Sequence, residues 1–481
     1  MTSTQATHEH AGHDHSAHDH SGHDGHADPT LYRSPADAMA APREKLAYVA
    51  LLDPDAIAVV DTDPDSPGYS SVVGSWNAPI QSAPDEFHHY GWNICSSALG
   101  GGHNHEGAME RRYLIVPGLR SSRIYILDTG SDPRNPTLVR TIEPGDVLGK
   151  SGYSRPHTVH CGPDGLFVSA IGSATENGPA GIFTMDHSTF DITGPWEEHR
   201  GPQFTAYDFW WHMGENVLVS SEWGHPRDIE DGLVPESLLG RKYGHRLHFF
   251  DMETRRHIQA VDLGDQHQMA LELRPSHDPT KTFGFVGVVV DVTDLSASVW
   301  TWHKEGGQWK AEKTITIPAR PLDPDLLPPL LKGFGAVPPV VTDIGLSLDD
   351  RYLYVACWGT GELLQYDVTD PFAPKQTGAI ELGGIFHRAD HPSGRPWAGG
   401  PQMIEISRDG KRVYTTNSLY RAWDPQFYPE GIPGAMAQID VVDGGGIKVN
   451  TDFMVEFPGY RAHQVRLEGG DSSTDSFCFT S

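Results

Sequence analysis

The sequence predicts an all-β protein, and within that class a seven-bladed β-propeller. Three observations favour this fold: a cassette of short alternating strands recurs seven times, the cassettes are evenly spaced, and 52 glycines and 37 prolines supply turns between strands. A propeller can take up all of a chain of 481 residues in one closed body. We therefore expect one propeller domain over residues 34–481.

The clearest copy of the cassette runs from Arg351 to Gly384. Its segments RYLYVAC, ELLQYDVTDP and APKQTGAIELGG predict three strands in which apolar and polar residues alternate. The other six cassettes begin with KLAYVALL, RYLIVPG, LFVSAIG, VLVSSEW, TFGFVGVV and RVYTTNS. A short segment precedes every cassette except the first, and we predict it to be the innermost strand of its blade.

The seventh inner segment, AHQVRLEGG, stands alone near the C-terminus. The first cassette has no inner strand, and the last inner strand has no cassette. This pattern predicts that the N- and C-terminal strands pair in one blade. This pairing closes the ring and leaves no open sheet edge. The first positions of the seven inner strands lie 51 to 71 residues apart, at His89, His157, Asp208, Leu271, Thr342, Gln402 and His463.

Residues 1–33 form a separate region, which we predict to be a disordered, histidine-rich tail. Eight histidines alternate there with Asp, Gly, Ala and Ser, and almost no apolar side chain is present to be buried. Closely spaced imidazoles bind divalent transition metals in many near-equivalent ways, which suits metal loading or buffering. The alternative is a solubilising tail that binds metal only when metal is offered.

Composition excludes several classes of function. A formal net charge of −28 repels the phosphates of nucleic acids and anionic lipid surfaces, so we expect neither as a partner. The four cysteines include no CxxC pair, which argues against a disulfide framework or a thiolate zinc site. The sequence contains no transmembrane segment or signal peptide, so we expect a cytoplasmic protein, or a periplasmic one if this N-terminus is a processed one.

The inner strands carry histidines that we predict to bind a metal. His88 and His89 lie in one blade, His157 and His160 in the next, and His463 in the blade that closes against the first. Equivalent positions of inner strands converge on the channel axis, so these imidazoles should meet around one ion. Imidazole suits several transition metals, and the affinity order favours copper, with iron as the second choice.

Strand geometry predicts that the members of each histidine pair differ in role. Successive side chains of a regular strand point to opposite faces, so His88 and His89 should not both face the channel, and neither should His157 and His160. One histidine of each pair, which the sequence does not specify, would then fix the tautomer of a ligand.

Three further residues are candidates for catalysis. Cys95 follows the first histidine pair closely, and Asp208 and Asp343 lie at or beside inner-strand positions of later blades. A thiol could act as a ligand or substrate partner, and a carboxylate could accept a proton. The competing interpretations are an inert buried thiol and carboxylates that merely line a solvated channel.

Long stretches of the chain resemble the selenium-binding protein/methanethiol oxidase family. They include DEFHHYGWNICSS, RSSRIYILDTGSDPRNP, YDFWW, GPQMIEISRDGKRVYTTNSLYRAWDPQFYP and HQVRLEGGDSSTD, and the resemblance runs from about Ser34 to the C-terminus. It implies a propeller, with copper implicated in bacterial members. It also implies oxidation of methanethiol by O₂ and water to formaldehyde, hydrogen sulfide and hydrogen peroxide.

By motif position, the resemblance also implies a histidine set. The family's His-His pair matches His88 and His89, its HxxHC element matches His157, His160 and the following cysteine, and its terminal histidine matches His463. The chain departs from the family where vertebrate members carry a selenium-linked cysteine: Ser70 stands there, and a family CSSC reads Cys95-Ser-Ser-Ala98. Selenium binding through those thiols is therefore not expected.

Two other functions remain open at this stage. One is a non-enzymatic propeller that binds selenium or thiols or carries metal. The other keeps the axial metal but changes the chemistry, because metal-containing propellers also support lactone hydrolysis and oxygenase reactions. Methanethiol and O₂ are the expected partners of the oxidase.

Overall fold

The structure, a computed structural model, is an all-β propeller of seven four-stranded antiparallel sheets. It describes residues 28–79, 85–96, 110–162, 165–175 and 177–475. The predicted all-β, seven-bladed architecture is confirmed. The predicted disorder of the histidine-rich tail falls almost wholly on residues 1–27, which lie outside the described residues.

The strands of the first three blades follow one another along the chain. Blade 1 begins with β1 (Leu46–Leu52), β2 (Ala56–Asp61) and β3 (Val72–Asn77). Blade 2 comprises β4 (Gly91–Trp92), β5 (Tyr113–Pro117), β6 (Ile124–Asp128) and β7 (Thr137–Ile142). Blade 3 comprises β8 (Tyr153–Gly162), β9 (Gly165–Ser173), β10 (Gly181–Met185) and β11 (Ile192–Pro195).

The next blades repeat this pattern. Blade 4 comprises β12 (Phe209–His212), β13 (Val217–Ser221), β14 (Arg246–Asp251) and β15 (Arg256–Asp262). Blade 5 comprises β16 (His267–Pro275), β17 (Phe283–Asp291), β18 (Ala297–Glu305) and β19 (Gln308–Ile317). A separate two-stranded hairpin, β20 (Arg320–Pro321) with β21 (Ala336–Val337), follows blade 5.

The last two blades and the closing strand complete the ring. Blade 6 comprises β22 (Val341–Leu346), β23 (Tyr352–Cys357), β24 (Glu362–Asp367) and β25 (Lys375–Glu381). Blade 7 comprises β26 (Ile404–Ile406), β27 (Arg412–Thr416), β28 (Gly434–Val441) and β29 (Ile447–Phe457). The final strand, β30 (Arg461–Leu467), pairs antiparallel with β1, so the first and last strands share blade 1.

Short helices lie in the connections. They are α1 (Pro35–Ala40), α2 (Pro144–Ser151), α3 (Pro226–Ile229), α4 (Pro235–Leu239) and α5 (Asp424–Phe427), with 3₁₀ turns at Met213–Glu215 and Pro324–Leu326. Among the described residues, no helix has the length and apolar character needed to cross a membrane.

Long connections from several blades pack together as an apolar cap. We define this cap as residues 223–243, 327–340 and 419–432, whose buried side chains form one cluster with residues at the starts of the inner strands β12 and β16. Trp223, Trp423 and Tyr420 lie at its centre. The cap therefore covers one end of the channel.

The contacts of the N-terminal segment begin before the expected boundary at Ser34. Tyr32 is buried, and its backbone N–H donates to the Ser96 side chain while its hydroxyl donates to the carbonyl of Gly469. A large aromatic side chain removed from water stabilises this docking. Residues 28–33, which were expected in the tail, thus pack on the propeller.

Candidate metal centre

Four of the five predicted histidines meet in the channel. His88 and His89 directly precede β4, His157 lies in β8 and His463 lies in β30, so three neighbouring blades contribute imidazoles. All four side chains are buried, with at most 3% exposure. We call these four residues the histidine cluster.

The rings of the histidine cluster are in direct contact. The Nδ1 atom of His88 lies 2.9 Å from Nε2 of His157. Ring centroids are 3.9 Å apart for His88 and His463, and 4.1 Å apart for His89 and His157. One nitrogen from each of His88, His89 and His157 lies within 4.8 Å of the other two, which is the spacing of groups that could share one metal ion.

The prediction that only one of His88 and His89 faces the cluster is wrong. Side chains alternate between faces only in a regular pleated strand, whereas residues 85–90 precede β4 and have no strand conformation. Glu86, with a φ of 66°, lies in this irregular segment. The two imidazoles consequently stack at 5.3 Å with an interplanar angle of 9°.

The two histidines of β8 have different neighbours. His160 Nε2 lies 3.4 Å from Asp208 Oδ1, and its ring centroid lies 3.7 Å from that of Trp210. His157 contacts His88 and His89 instead. His160, which was predicted as a fifth metal ligand, therefore lies beside the histidine cluster, against blade 4.

Two backbone carbonyls of the loop after β27 set tautomers in the cluster. His463 Nδ1–H donates to the carbonyl of Ser418 at 2.7 Å, and His88 Nε2–H donates to the carbonyl of Leu419 at 3.0 Å. Each imidazole then directs its second nitrogen, with a lone pair, away from the loop. Carbonyl contacts of this kind orient metal-binding histidines.

Burial keeps the imidazoles neutral. It lowers the pKa of His463 to about 3, and it lowers the pKa values of His88, His89 and His157 as well, with the neighbouring imidazoles adding to the effect. The Nε2 atoms of His89 and His463 have no hydrogen-bond partner among the described residues. A buried polar atom without a partner is costly, so these two nitrogens point to a missing ligand.

A carboxylate that sequence reasoning missed lies beside the cluster. Glu272 Oε1 is 3.7 Å from His89 Nε2 and accepts a hydrogen bond from the Tyr207 hydroxyl at 3.1 Å. Burial, with the nearby Asp208, raises the pKa of Glu272 to about 7. Leu271 was the predicted inner-strand position, but β16 has a register irregularity between Ala270 and Leu273, and Glu272 is the residue that lies at the site. The charged pair Glu272 and Arg274 within a buried inner strand was the available signal.

The two predicted aspartates connect neighbouring blades. Asp208 accepts from the backbone N–H of Leu273 at 2.9 Å, and Asp343 accepts from the backbone N–H of Ile404 at 2.8 Å. Each bond joins one blade to the next. Burial raises the pKa of Asp208 to about 6 and raises that of Asp343 as well.

The same aspartates belong to a buried ion network. Arg274 donates to Asp343 at 3.0 Å and to Glu272 at 3.1 Å, and it lies 3.6 Å from Asp208. Arg466, in β30, donates to Glu405. These residues form a second polar layer of the channel, which we call the ion network. Its members are Arg274, Arg466, Asp208, Glu272, Asp343 and Glu405.

Cys95 lies in an apolar cluster between blades 2 and 3. Its thiol donates to the carbonyl of Cys161 at 3.0 Å, and both side chains pack with Ile94 and Val159. Burial raises the pKa of the Cys161 thiol. These surroundings disfavour the thiolate form, which is the reactive one.

His88, His89 and His157 have the spacing to share one transition metal ion, and the His463 ring contacts that of His88 beside them. Metal–nitrogen bonds are about 2.0 to 2.1 Å long, and two nitrogens 2.9 Å apart can both bind one ion at that length. The donors are neutral nitrogens, carbonyls fix the tautomers of His88 and His463, and the Nε2 atoms of His89 and His463 have no hydrogen-bond partner among the described residues. This donor set suits copper, zinc, iron or nickel, with the highest affinity for copper.

Fold and site together define a β-propeller with a candidate metal centre made of imidazoles in its channel. The profile of the family described as "56kDa selenium binding protein (SBP56)" matches residues 25–478. The chain belongs to this family.

Relatives of this chain are similar over almost their whole length. A protein of Xenopus tropicalis named methanethiol oxidase is 40% identical over 478 residues, covering 92% of this chain and 97% of that protein. A human protein of the same name is 39% identical over 479 residues, with the same coverage. The X-ray structure of a hypothetical selenium-binding protein from Sulfolobus tokodaii has 54% sequence identity and a TM-score of 0.91, covering 94% of this chain and 100% of that one. The family resemblance predicted from the sequence is confirmed.

Proposed function

We propose that this protein is a methanethiol oxidase that depends on copper held by His88, His89, His157 and His463. The reaction is CH₃SH + O₂ + H₂O → HCHO + H₂S + H₂O₂. The observation that carries the proposal is the buried histidine cluster with partnerless nitrogens, in a chain whose full-length relatives bear this name.

Copper bound there would supply the redox chemistry and bind the soft sulfur of the substrate. The protein's part is to keep the donor nitrogens unprotonated and aimed at one point. Burial keeps these nitrogens unprotonated. The carbonyls of Ser418 and Leu419 orient the rings of His463 and His88, respectively.

Proton transfer is the second task of the site. Methanethiol must lose the proton of its S–H group, and Glu272 Oε1 is the carboxylate oxygen next to His89. The Tyr207 hydroxyl, which donates to this oxygen, holds the carboxylate in place. We assign Glu272 as the proton acceptor and Tyr207 as its positioning residue.

Aromatic rings packed on the histidine cluster exclude water from the reacting groups. The ring centroid of Tyr207 lies 4.6 Å from that of His157, and the ring centroid of Tyr420 lies 5.3 Å from that of His88. Removing bulk water strengthens electrostatic interactions within the site and protects reactive species from side reactions.

Asp208, Asp343, Cys95 and His160 receive positioning or packing roles in this proposal. The aspartates join blades and hold Arg274, His160 contacts Asp208, and Cys95 packs against Cys161. None of these roles requires contact with the substrate.

The proposal is tested by metal replacement. Protein stripped of metal is reloaded separately with copper, iron or zinc, and each form is assayed for sulfide and hydrogen peroxide produced from methanethiol. We expect activity with copper only. Equal activity in the metal-free and copper forms contradicts the proposal, and tight copper binding without turnover favours a thiol-binding or metal-carrying propeller instead.

A further inference from the structure

An apolar cavity of about 40 Å³ lies in the apolar cap. All the side chains that line it are apolar, and they include Leu238, Val290, Leu330, Phe334 and Trp423. Phe334 is 39% exposed, so the cavity adjoins solvent at this rim. Cavities without polar groups hold water poorly and take up small apolar guests.

A continuous line of aromatic rings joins this cavity to the histidine cluster. Trp423 lines the cavity, and its ring centroid lies 5.8 Å from that of Trp223. The Trp223 ring lies 5.4 Å from Tyr207, and the Tyr207 ring lies 4.6 Å from His157. Trp223 and Trp423 belong to the cap, and Tyr207 belongs to the same buried cluster.

The two tryptophans on this line are held differently. The indole N–H of Trp423 donates to the carbonyl of Ile229 at 2.8 Å, which fixes its ring. The indole N–H of Trp223 is buried and has no hydrogen-bond partner among the described residues. Trp223 is therefore positioned by packing alone, and its N–H can donate to a weak acceptor such as a sulfur atom.

A larger cavity on the cap has the opposite character. It measures about 710 Å³ and is lined by polar and charged groups, including Arg120, Arg155 and Glu230. The Arg120 guanidinium, which lines this cavity, lies over the ring of Tyr420 at 5.5 Å, and the Tyr420 ring centroid lies 5.3 Å from that of His88. Such a lining favours water and charged solutes, so a neutral apolar molecule gains more by burial in the smaller cavity.

We infer that the apolar cavity is the access site for a small, neutral, apolar thiol, and that Trp423 and Trp223 separate it from the histidine cluster. The inference rests on the proposed function, because it names the route and the class of that substrate. The small volume of the cavity and the absence of polar groups from its lining both select for thiols with very few carbon atoms. Charged thiols are excluded by the cost of leaving water.

The binding part of the inference is tested with xenon, a small apolar probe. Crystals of the full-length protein are pressurised with xenon, and the gas is located by anomalous diffraction. We expect xenon between Val290, Leu330 and Trp423, displaced by added methanethiol. In Leu330→Trp, whose new ring fills the cavity from its partly exposed side, xenon should be absent. Absence of xenon from the native cavity, or no displacement by methanethiol, overturns the inference.

The access part is tested by steady-state kinetics of the copper-loaded protein. Leu330→Trp should raise KM for methanethiol about 10-fold, with kcat and copper content unchanged. Leu330→Ala should lower the KM for ethanethiol relative to that for methanethiol. Thr175→Trp, at the rim of the polar cavity, is the matched control and should leave both KM values unchanged.

The outcomes separate the access site from the proposed function. An unchanged KM in Leu330→Trp, in protein that has lost the xenon site, overturns the inference while methanethiol oxidation stands. No turnover in any variant, with methanethiol still displacing xenon, overturns the proposed function and leaves the thiol-binding cavity supported.

Discussion

Two layers of the channel are built from buried ionisable groups, but they differ in how those groups are satisfied. In the ion network, Arg274 and Arg466 each meet carboxylates, and Asp208 and Asp343 also accept backbone N–H groups. In the histidine cluster, the Nε2 atoms of His89 and His463 have no hydrogen-bond partner among the described residues.

The difference in hydrogen bonding suits the ion network to a structural role and the histidine cluster to ligand binding. A buried charge is tolerated only when it is paired, and both arginines of the ion network meet carboxylates, although Nε of Arg274 has no hydrogen-bond partner among the described residues. The histidine cluster is held in place by carbonyls on one side and left with lone pairs on the other. The cluster could therefore hold a metal ion.

Breaking the ion network should cause the largest loss of stability. Asp343→Ala removes one carboxylate partner of Arg274 and the acceptor of the Ile404 N–H, so the buried guanidinium loses a partner and a buried backbone N–H is left without an acceptor. We expect the free energy of unfolding to fall by about 3–5 kcal/mol, measured from urea denaturation of the metal-free protein. Glu305→Ala, which breaks an exposed pair with Lys310, should change it by less than about 0.5 kcal/mol. Equal stability of the two variants would contradict the structural role of the ion network.

Removing a ligand should affect metal binding far more than folding. His463→Ala deletes one nitrogen of the cluster, and we expect copper affinity to fall about 100-fold or more. Copper titration of the purified protein measures this change. His212→Ala removes another fully buried histidine, whose Nε2 bonds to the Lys281 carbonyl outside the cluster, and should leave copper affinity unchanged. If both variants bind copper equally well, His463 is not a ligand.

The carboxylate beside the cluster should matter for turnover rather than for metal binding. Glu272→Gln keeps the size of the side chain and an oxygen acceptor for Tyr207, but it cannot take a proton from the substrate. We expect kcat to fall about 100-fold with copper content unchanged. Glu236→Gln on the exposed side of α4 is the control. A kcat equal to that of the control would remove Glu272 from the mechanism.

The smallest effect should come from a side chain that only orients a ligand. The hydroxyl of Thr158 lies 3.0 Å from Nδ1 of His157, so Thr158→Val frees that ring while leaving the ligand itself in place. We expect copper affinity to fall about 10-fold, measured by the same titration. Thr193→Val, on the outer strand β11, should leave affinity unaltered. A loss as large as that of His463→Ala would mean that Thr158 does more than orient His157.

The sequence predicted the fold and the meeting of the main candidate ligands because both depend on repetition. Seven cassettes predicted seven blades, and the orphan segment AHQVRLEGG predicted the strand that pairs with β1. Blade order alone then placed His88, His89, His157 and His463 on neighbouring inner strands, where they meet. None of these steps needs the detailed path of the backbone.

The errors arose where the backbone departs from regular strands. Alternation would separate His88 from His89, but residues before β4 are irregular and bring both rings together. An irregular register in β16 brings Glu272 to the site. The carbonyls of Ser418 and Leu419 have no signature in the sequence, since every residue has a carbonyl and only the loop's conformation aims these two.

The central claim is that one metal ion is held by the four imidazoles of the channel. The most direct test is anomalous X-ray diffraction from crystals of the copper-loaded full-length protein, with data collected on both sides of the copper absorption edge. We predict a single strong difference peak among His88, His89, His157 and His463, within about 2.0 to 2.1 Å of their nitrogens. Copper found only elsewhere, or no peak at this position in protein that retains copper, would contradict the account.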